Sequence, residues 1–216
     1  LRPREEAAKL DGNDQVEAPN SQSLALTGSS TVEIRFKLDA SSLDWMPLIQ
    51  KTSGPGFSQA TYSLWVNQAG RQLALITTDA TGLQEIVTPV GIVGTDWQDL
   101  AVSVNRATGA VTFYMNGDVV FSASIRRDAS GVLNDMALLV GASRETVYGG
   151  FVGVIDDVAI WNTVRDLDQI NGDFANGAAG PKEELAAHWS FDEPGGDIAL
   201  DSSGNKNDGL LGGGKR

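Results

Sequence analysis

The sequence predicts an all-β chain, a two-sheet antiparallel β-sandwich. Three observations carry this reading. Short apolar runs recur from Leu10 to Ser190, each bounded by Gly, Asn, Asp, Ser or Pro. The 25 glycines sit mostly between those runs, where tight turns use them. Helical periodicity is confined to one short patch, so alternating βαβ units are not supported.

The clearest strand is Thr31–Leu38. Val32, Ile34, Phe36 and Leu38 share one face, and Glu33, Arg35 and Lys37 share the other. Further strands are predicted at Tyr62–Val66, Gln72–Thr77, Leu83–Val87, Trp97–Asn105 and Ala110–Met115, then at Met136–Gly141 and Phe151–Trp161. Asn116-Gly117 between apolar runs is a strong two-residue hairpin signal. Asp166–Phe174 carries Leu167, Ile170 and Phe174 at helical spacing, enough for a short helix docked on a sheet. Residues 1–9 are charged and patternless, so they read as a lead-in. Residues 10–213 read as a single domain, with 185–213 supplying closing strands.

The length suits one large sandwich, and the 41% hydrophobic content is enough for a core. The net charge of −12 makes nucleic acid a poor partner, because the chain repels phosphates. No apolar stretch approaches the roughly 20 residues that cross a bilayer as a helix. Cysteine is absent, so disulfides and thiol chemistry are excluded. A processed protein and an excised domain account equally well for a start at Leu1 rather than Met.

Three stretches could hold a cation. In Val154–Ile160, alternation puts Asp156 on the row of Val154, Val158 and Ile160. A carboxylate there needs backbone donors or a bound cation. Asp201-Ser202-Ser203-Gly204-Asn205-Lys206-Asn207-Asp208-Gly209 is rich in oxygens with glycine for a bend. It suits a hard cation such as calcium, or an Asx-rich turn. Asp11, in Leu10-Asp11-Gly12-Asn13-Asp14, sits in a turn that could add an oxygen. His188 is the only histidine and lies in an alternating strand, where facing outward or packing at an edge suits it better than catalysis. Trp65 and Trp97, within strands, read as core. Trp45 lies in a less regular stretch and is the candidate for stacking on a sugar ring.

Several motifs occur in a familiar order. They are Leu10-Asp11-Gly12-Asn13-Asp14-Gln15-Val16-Glu17-Ala18-Pro19, the Ser29–Lys37 strand, Trp97–Val102 with Thr112–Gly117, and Gly153–Asn162. Trp189–Glu193 followed by Asp201–Gly209 completes the set. Together they resemble the bacterial laminin-G-like, concanavalin A-like jelly-roll family over about Leu10–Gly213. Gln15 and Asp99 stand where that family carries Tyr and His. The Trp189–Gly209 piece often opens a family domain. Here it either closes this sandwich or begins a second copy, and the first is favoured because nothing else supplies those strands.

The resemblance implies a structural calcium at the sandwich edge, with Asp11, Asp156, Asp201, Asn205 and Asn207 as its candidate ligands. It also implies glycan or glycoprotein ligands. The expectation is a non-catalytic recognition module of a secreted or cell-surface protein, attached to other domains of a larger chain. A structural or adhesion spacer is the alternative. A glycoside hydrolase on the same fold is a third reading, against which no alternating array of acids is found.

Overall fold

The structure, a computed structural model, describes residues 7–39, 44–127, 130–145 and 147–212. Two antiparallel sheets face each other. One contains β1 (Ala8–Asp11), β3 (Ser30–Leu38), β8 (Gln98–Val104), β9 (Ala110–Met115), β10 (Asp118–Ser124), β12 (Val152–Trp161) and β13 (Leu185–Trp189). Its order is β1-β12-β3-β8-β9-β10, and β13 also pairs with β12. The other contains β2 (Gln15–Ala18), β4 (Trp45–Lys51), β5 (Tyr62–Asn67), β6 (Gln72–Asp79), β7 (Gly82–Val87), β11 (Leu138–Val140), β14 (Ile198–Ala199) and β15 (Gly209–Gly212). Its order is β14-β15-β2-β11-β4-β5-β6-β7.

Alternation along each strand fills the space between the sheets. Ile34, Phe36, Leu100, Phe113 and Ile155 come from the first sheet. Leu64, Val66, Leu73, Leu75 and Val140 meet them from the second. The predicted strands are all present. The Asn116-Gly117 hairpin has both residues at positive φ, 54° and 90°, as a two-residue turn of this kind requires. Ala8 and Lys9 belong to β1 rather than to a lead-in, and residues 1–6 lie outside the described residues. β4 was not anticipated. Pro47 interrupts its apolar run and lies at a register shift against β5, where the missing N–H is tolerated. Trp97 precedes β8 and is half-buried, not core.

The row assignment in β12 is corrected by a bulge. Asp156 stands opposite Arg35, but Ala159 stands opposite Glu33, so β12 spends one extra residue there. Asp157 takes up the kink at φ 45°. Ile155, Val158 and Ile160 therefore all join the main core. Asp156 leaves their row and stands opposite outward-facing Arg35. The bulge also divides the opposite edge of β12: Val152–Ile155 pair with β1, and Val158–Trp161 pair with β13.

The predicted helical patch is α1 (Leu167–Asn176). Asp166 and Gln169 form a reciprocal capping box at its start, and Gly177 ends it at φ 70°. Leu167, Ile170 and Phe174 pack on Ala101 and Tyr114, on the outer face of the first sheet. The polar row of β3 is consequently covered rather than solvated. Arg35 pairs with Asp99, and Arg165 holds Asp173 through two bonds of 3.0 and 2.6 Å while lying 4.1 Å over the Trp161 ring. Glu33 is 2% exposed, and its Oε1 has no hydrogen-bond partner.

Burial and the neighbouring Asp173 carboxylate push the Glu33 carboxyl well above the usual 4.5; Trp161 and Arg165 only partly offset this. The folded protein thus holds this proton after the unfolded chain has lost it. Stability contributed at low pH should fall as pH rises from about 4.5 through the folded-state value. Glu33→Gln should flatten that fall and stabilise the protein by about 1–3 kcal/mol at neutral pH, measured by denaturant unfolding across pH.

Candidate functional site

Strands β4 to β7 are consecutive neighbours, and β5 and β6 are covered on both faces. Leu64 and Val66 enter the main core, so Trp65 between them points to the outer face of the second sheet. Its cross-strand partners are Pro47 and Ala74, and the small Ala74 leaves room beside the indole. Ile76 and Glu85 form the next cross-strand pair on that face. Trp65 is 2% exposed, yet it belongs to a small aromatic cluster separate from the sandwich core.

Two loops wall this cluster. Pro55–Phe57 forms a short 3-10 turn that places the Phe57 ring 5.6 Å from Trp65 at 85°. Tyr148 approaches from the other side at 5.2 Å and 62°; both are edge contacts that suit ring quadrupoles. Half-buried Trp45 completes a cavity lined by Trp45, Phe57, Trp65, Ala74, Ile76, Glu85 and Tyr148, with a volume of about 50 Å³. Glu145 ties the two loops together, its carboxylate accepting from the Gly56 and Phe57 N–H groups at 2.8 Å each. The Trp65 Nε1–H is satisfied by Ser63 Oγ at 2.7 Å. This site is an apolar, aromatic concavity with one exposed carboxylate at its edge. It can stack on a flat apolar face and hydrogen-bond at the rim.

Of the residues expected here, Trp45 lines the cavity. Trp65, read as core, is its floor, while Phe57, Tyr148, Glu85 and Glu145 were not singled out. The available signal was the apolar run Leu64-Trp65-Val66, which marks a strand with two covered faces.

The five candidate calcium ligands fall in separate places. Asp11 lies opposite Val152, about 13 Å along β12 from Asp156 at the usual strand rise. Asp11 Oδ1 accepts from the Asn13 N–H at 2.9 Å, and Asp156 Oδ1 from the Asp157 N–H at 3.0 Å. Asp201, Asn205 and Asn207 do share one loop, but protein donors engage it. Asp201 Oδ1 accepts from the N–H groups of His188 and Ser203 at 3.0 and 2.9 Å. Its Oδ2 accepts from Ser203 Oγ and the Asn207 N–H, both at 2.9 Å. The Asn207 side-chain oxygen accepts from Ser21 and Ser23, and Asn205 Nδ2 donates to the Leu185 and Ala186 carbonyls. Among the described residues no three acidic or histidine side chains converge on one point. Asp11 and Asp156 stand too far apart to share one cation, and both oxygens of the Asp201 carboxylate accept protein hydrogen bonds.

His188 lies on β13, which pairs only with β12 among the described strands, and is 7% exposed. Its Nδ1 lies 2.7 Å from Ser202 Oγ and its Nε2 lies 3.3 Å from Asp157 Oδ1. These residue types match a nucleophile, a base and an orienting acid. The adjoining N–H groups are committed, however: that of Ser202 to the His188 carbonyl, that of Ser203 to Asp201, and that of Asn205 to Ser203 Oγ. They are unavailable as oxyanion donors, and the arrangement serves as a latch between β12 and the closing loop.

The two packed antiparallel sheets define a jelly-roll β-sandwich of the lectin kind. The chain belongs to the concanavalin A-like lectin/glucanase superfamily, whose profile matches residues 10–171. No curated protein sequence matches it. A proposed carbohydrate-binding protein from Bacteroides ovatus superposes with a TM-score of 0.67 at 19% identity over 93% of this chain, which spans only 56% of that protein. The CBM40 domain of the Ruminococcus gnavus IT-sialidase, bound to α2,3-sialyllactose, gives a TM-score of 0.60 at 16% identity, covering 78% of this chain and 96% of that one. The botulinum neurotoxin serotype G binding domain gives 0.58 at 12%, covering 74% and 40%. At these identities the likeness is one of fold.

Two outcomes are expected. Asp201→Ala, which strands four donors, should cost about 2–4 kcal/mol equally in calcium and in chelator, measured by thermal and denaturant unfolding. A loss seen only with calcium would return the loop to metal binding. Glu145→Ala should free the Phe57 wall at a cost of about 1–3 kcal/mol and red-shift tryptophan emission as Trp65 gains water.

Proposed function

We propose that this chain is a non-catalytic carbohydrate-recognition module whose ligand stacks in the cavity of Trp45, Phe57, Trp65 and Tyr148. The observation that carries the reading is the aromatic concavity itself. Large rings stand on the outer face of a rigid sheet, walled by loops that one buried carboxylate holds in place. Sugar rings present apolar C–H faces that pack on aromatic side chains, and their hydroxyls can be served from the rim. Lectin-like membership and a fold shared with the B. ovatus protein and the sialidase module support this choice. Recognition rather than hydrolysis fits the carboxylates near one another. Glu33 lies beneath α1 against Asp173 of that helix, with a cavity of only about 10 Å³ beside them, too small to admit a glycan. In this reading the module works outside the cell or at its surface, as one domain of a longer chain that binds glycans or glycoproteins.

A glycan array followed by titration calorimetry tests the proposal. Trp45→Ala and Tyr148→Ala should each weaken the best glycan by roughly tenfold or more, with circular dichroism unchanged. Glycan binding that survives both substitutions would place the site elsewhere.

A further inference from the structure

The cavity has a charge character that stacking alone does not use. Glu85 lies on β7 opposite Ile76, so its carboxylate stands on the same outer face as the rings and lines the same cavity. No lysine or arginine lines that cavity among the described residues. Lys51 Nζ donates to Asn20 Oδ1 and the Met136 carbonyl, and Arg126 pairs with Asp79. The second carboxylate of the site, Glu145, is consumed by the Gly56 and Phe57 N–H groups. Glu85 is exposed and makes no hydrogen bond or ion pair among the described residues. Aromatic faces carry negative potential, and several rings beside one carboxylate attract an alkylammonium group. An anionic sugar entering the cavity would meet Glu85 with no countercharge.

We infer that the ligand carries a cationic ammonium group, seated among Trp45, Phe57 and Tyr148 over Trp65 and opposed by Glu85. This deepens the reading of the cavity as the glycan site and rests on it. Two sources share the chemistry: a hexosamine with a free amine within a glycan, or a quaternary ammonium head group. Cation–π attraction and the carboxylate act together, so both an uncharged analogue and a neutralised Glu85 should lose affinity.

The probes are a glucosamine oligomer, its fully N-acetylated counterpart, α2,3-sialyllactose and tetramethylammonium. Each is titrated at low salt by calorimetry and by quenching of tryptophan fluorescence. The glucosamine oligomer should bind about tenfold more tightly than its acetylated form, and sialyllactose more weakly than either. Glu85→Gln should weaken the glucosamine oligomer about threefold to tenfold and the acetylated form by less, and added salt should shrink the difference. Trp45→Ala should abolish the quenching. Equal or tighter binding of the acetylated oligomer, or an unchanged preference in Glu85→Gln, overturns the inference and leaves glycan recognition standing. Binding of tetramethylammonium alone, weakened by Glu85→Gln, upholds the ammonium site and overturns the glycan reading. Failure of both ammonium probes to bind overturns the inference whatever other glycan binds.

Discussion

One extra residue in β12 arranges the rest of the seven-stranded sheet around it. Period-2 alternation would put Ile155 and Val158 on opposite faces, yet both belong in the core. The bulge at Asp156–Asp157 resolves the conflict by resetting the alternation. It also ends pairing with β1 and opens the same edge to β13. Strands from the two ends of the chain can therefore share one edge of one strand. The kink brings Asp157 within reach of His188, which in turn holds Ser202.

The closing segment follows from that arrangement. β13 extends the first sheet and β15 the second, so 185–212 is woven into both layers. Trp189 is fully buried and anchors its Nε1–H on the Asn207 carbonyl at 2.9 Å. The Asp201 carboxylate organises the intervening loop by collecting donors from β13 and from its own turn. The family profile stops at residue 171, but the core does not.

The aromatic cavity depends on the same alternation, used in the opposite sense. β5 and β6 spend one row on the sandwich core and the other on a second, smaller cluster. Edge contacts from Phe57 and Tyr148 shield Trp65 from water, so a large apolar surface is kept without being fully exposed. Glu145 holds the Phe57 turn in place through the Gly56 and Phe57 N–H groups.

Most of the strands were legible because their determinants are local. Alternation in Thr31–Leu38, Asn116-Gly117 for the hairpin, and the Asp166–Gln169 cap for α1 all act within a few residues. β4 was hidden because Pro47 breaks the pattern by which strands are recognised, and only its partner β5 shows that a register shift absorbs it. Glu33 resembled a solvent-facing residue until α1, more than a hundred residues away, covered it. The chain also announced an oxygen-rich loop at Asp201–Gly209. It could not announce that Ser21, Ser23 and His188 would donate to that loop, because those donors arrive from other segments of the chain. In the same way Trp45 was legible as a stacking candidate, whereas Trp65 read as core. That one lines and the other floors a cavity was decided by sheet register and by two loops meeting at Glu145. Local sequence dictates how each segment curls or extends, but which polar and aromatic groups meet depends on the pairing of strands far apart in the chain.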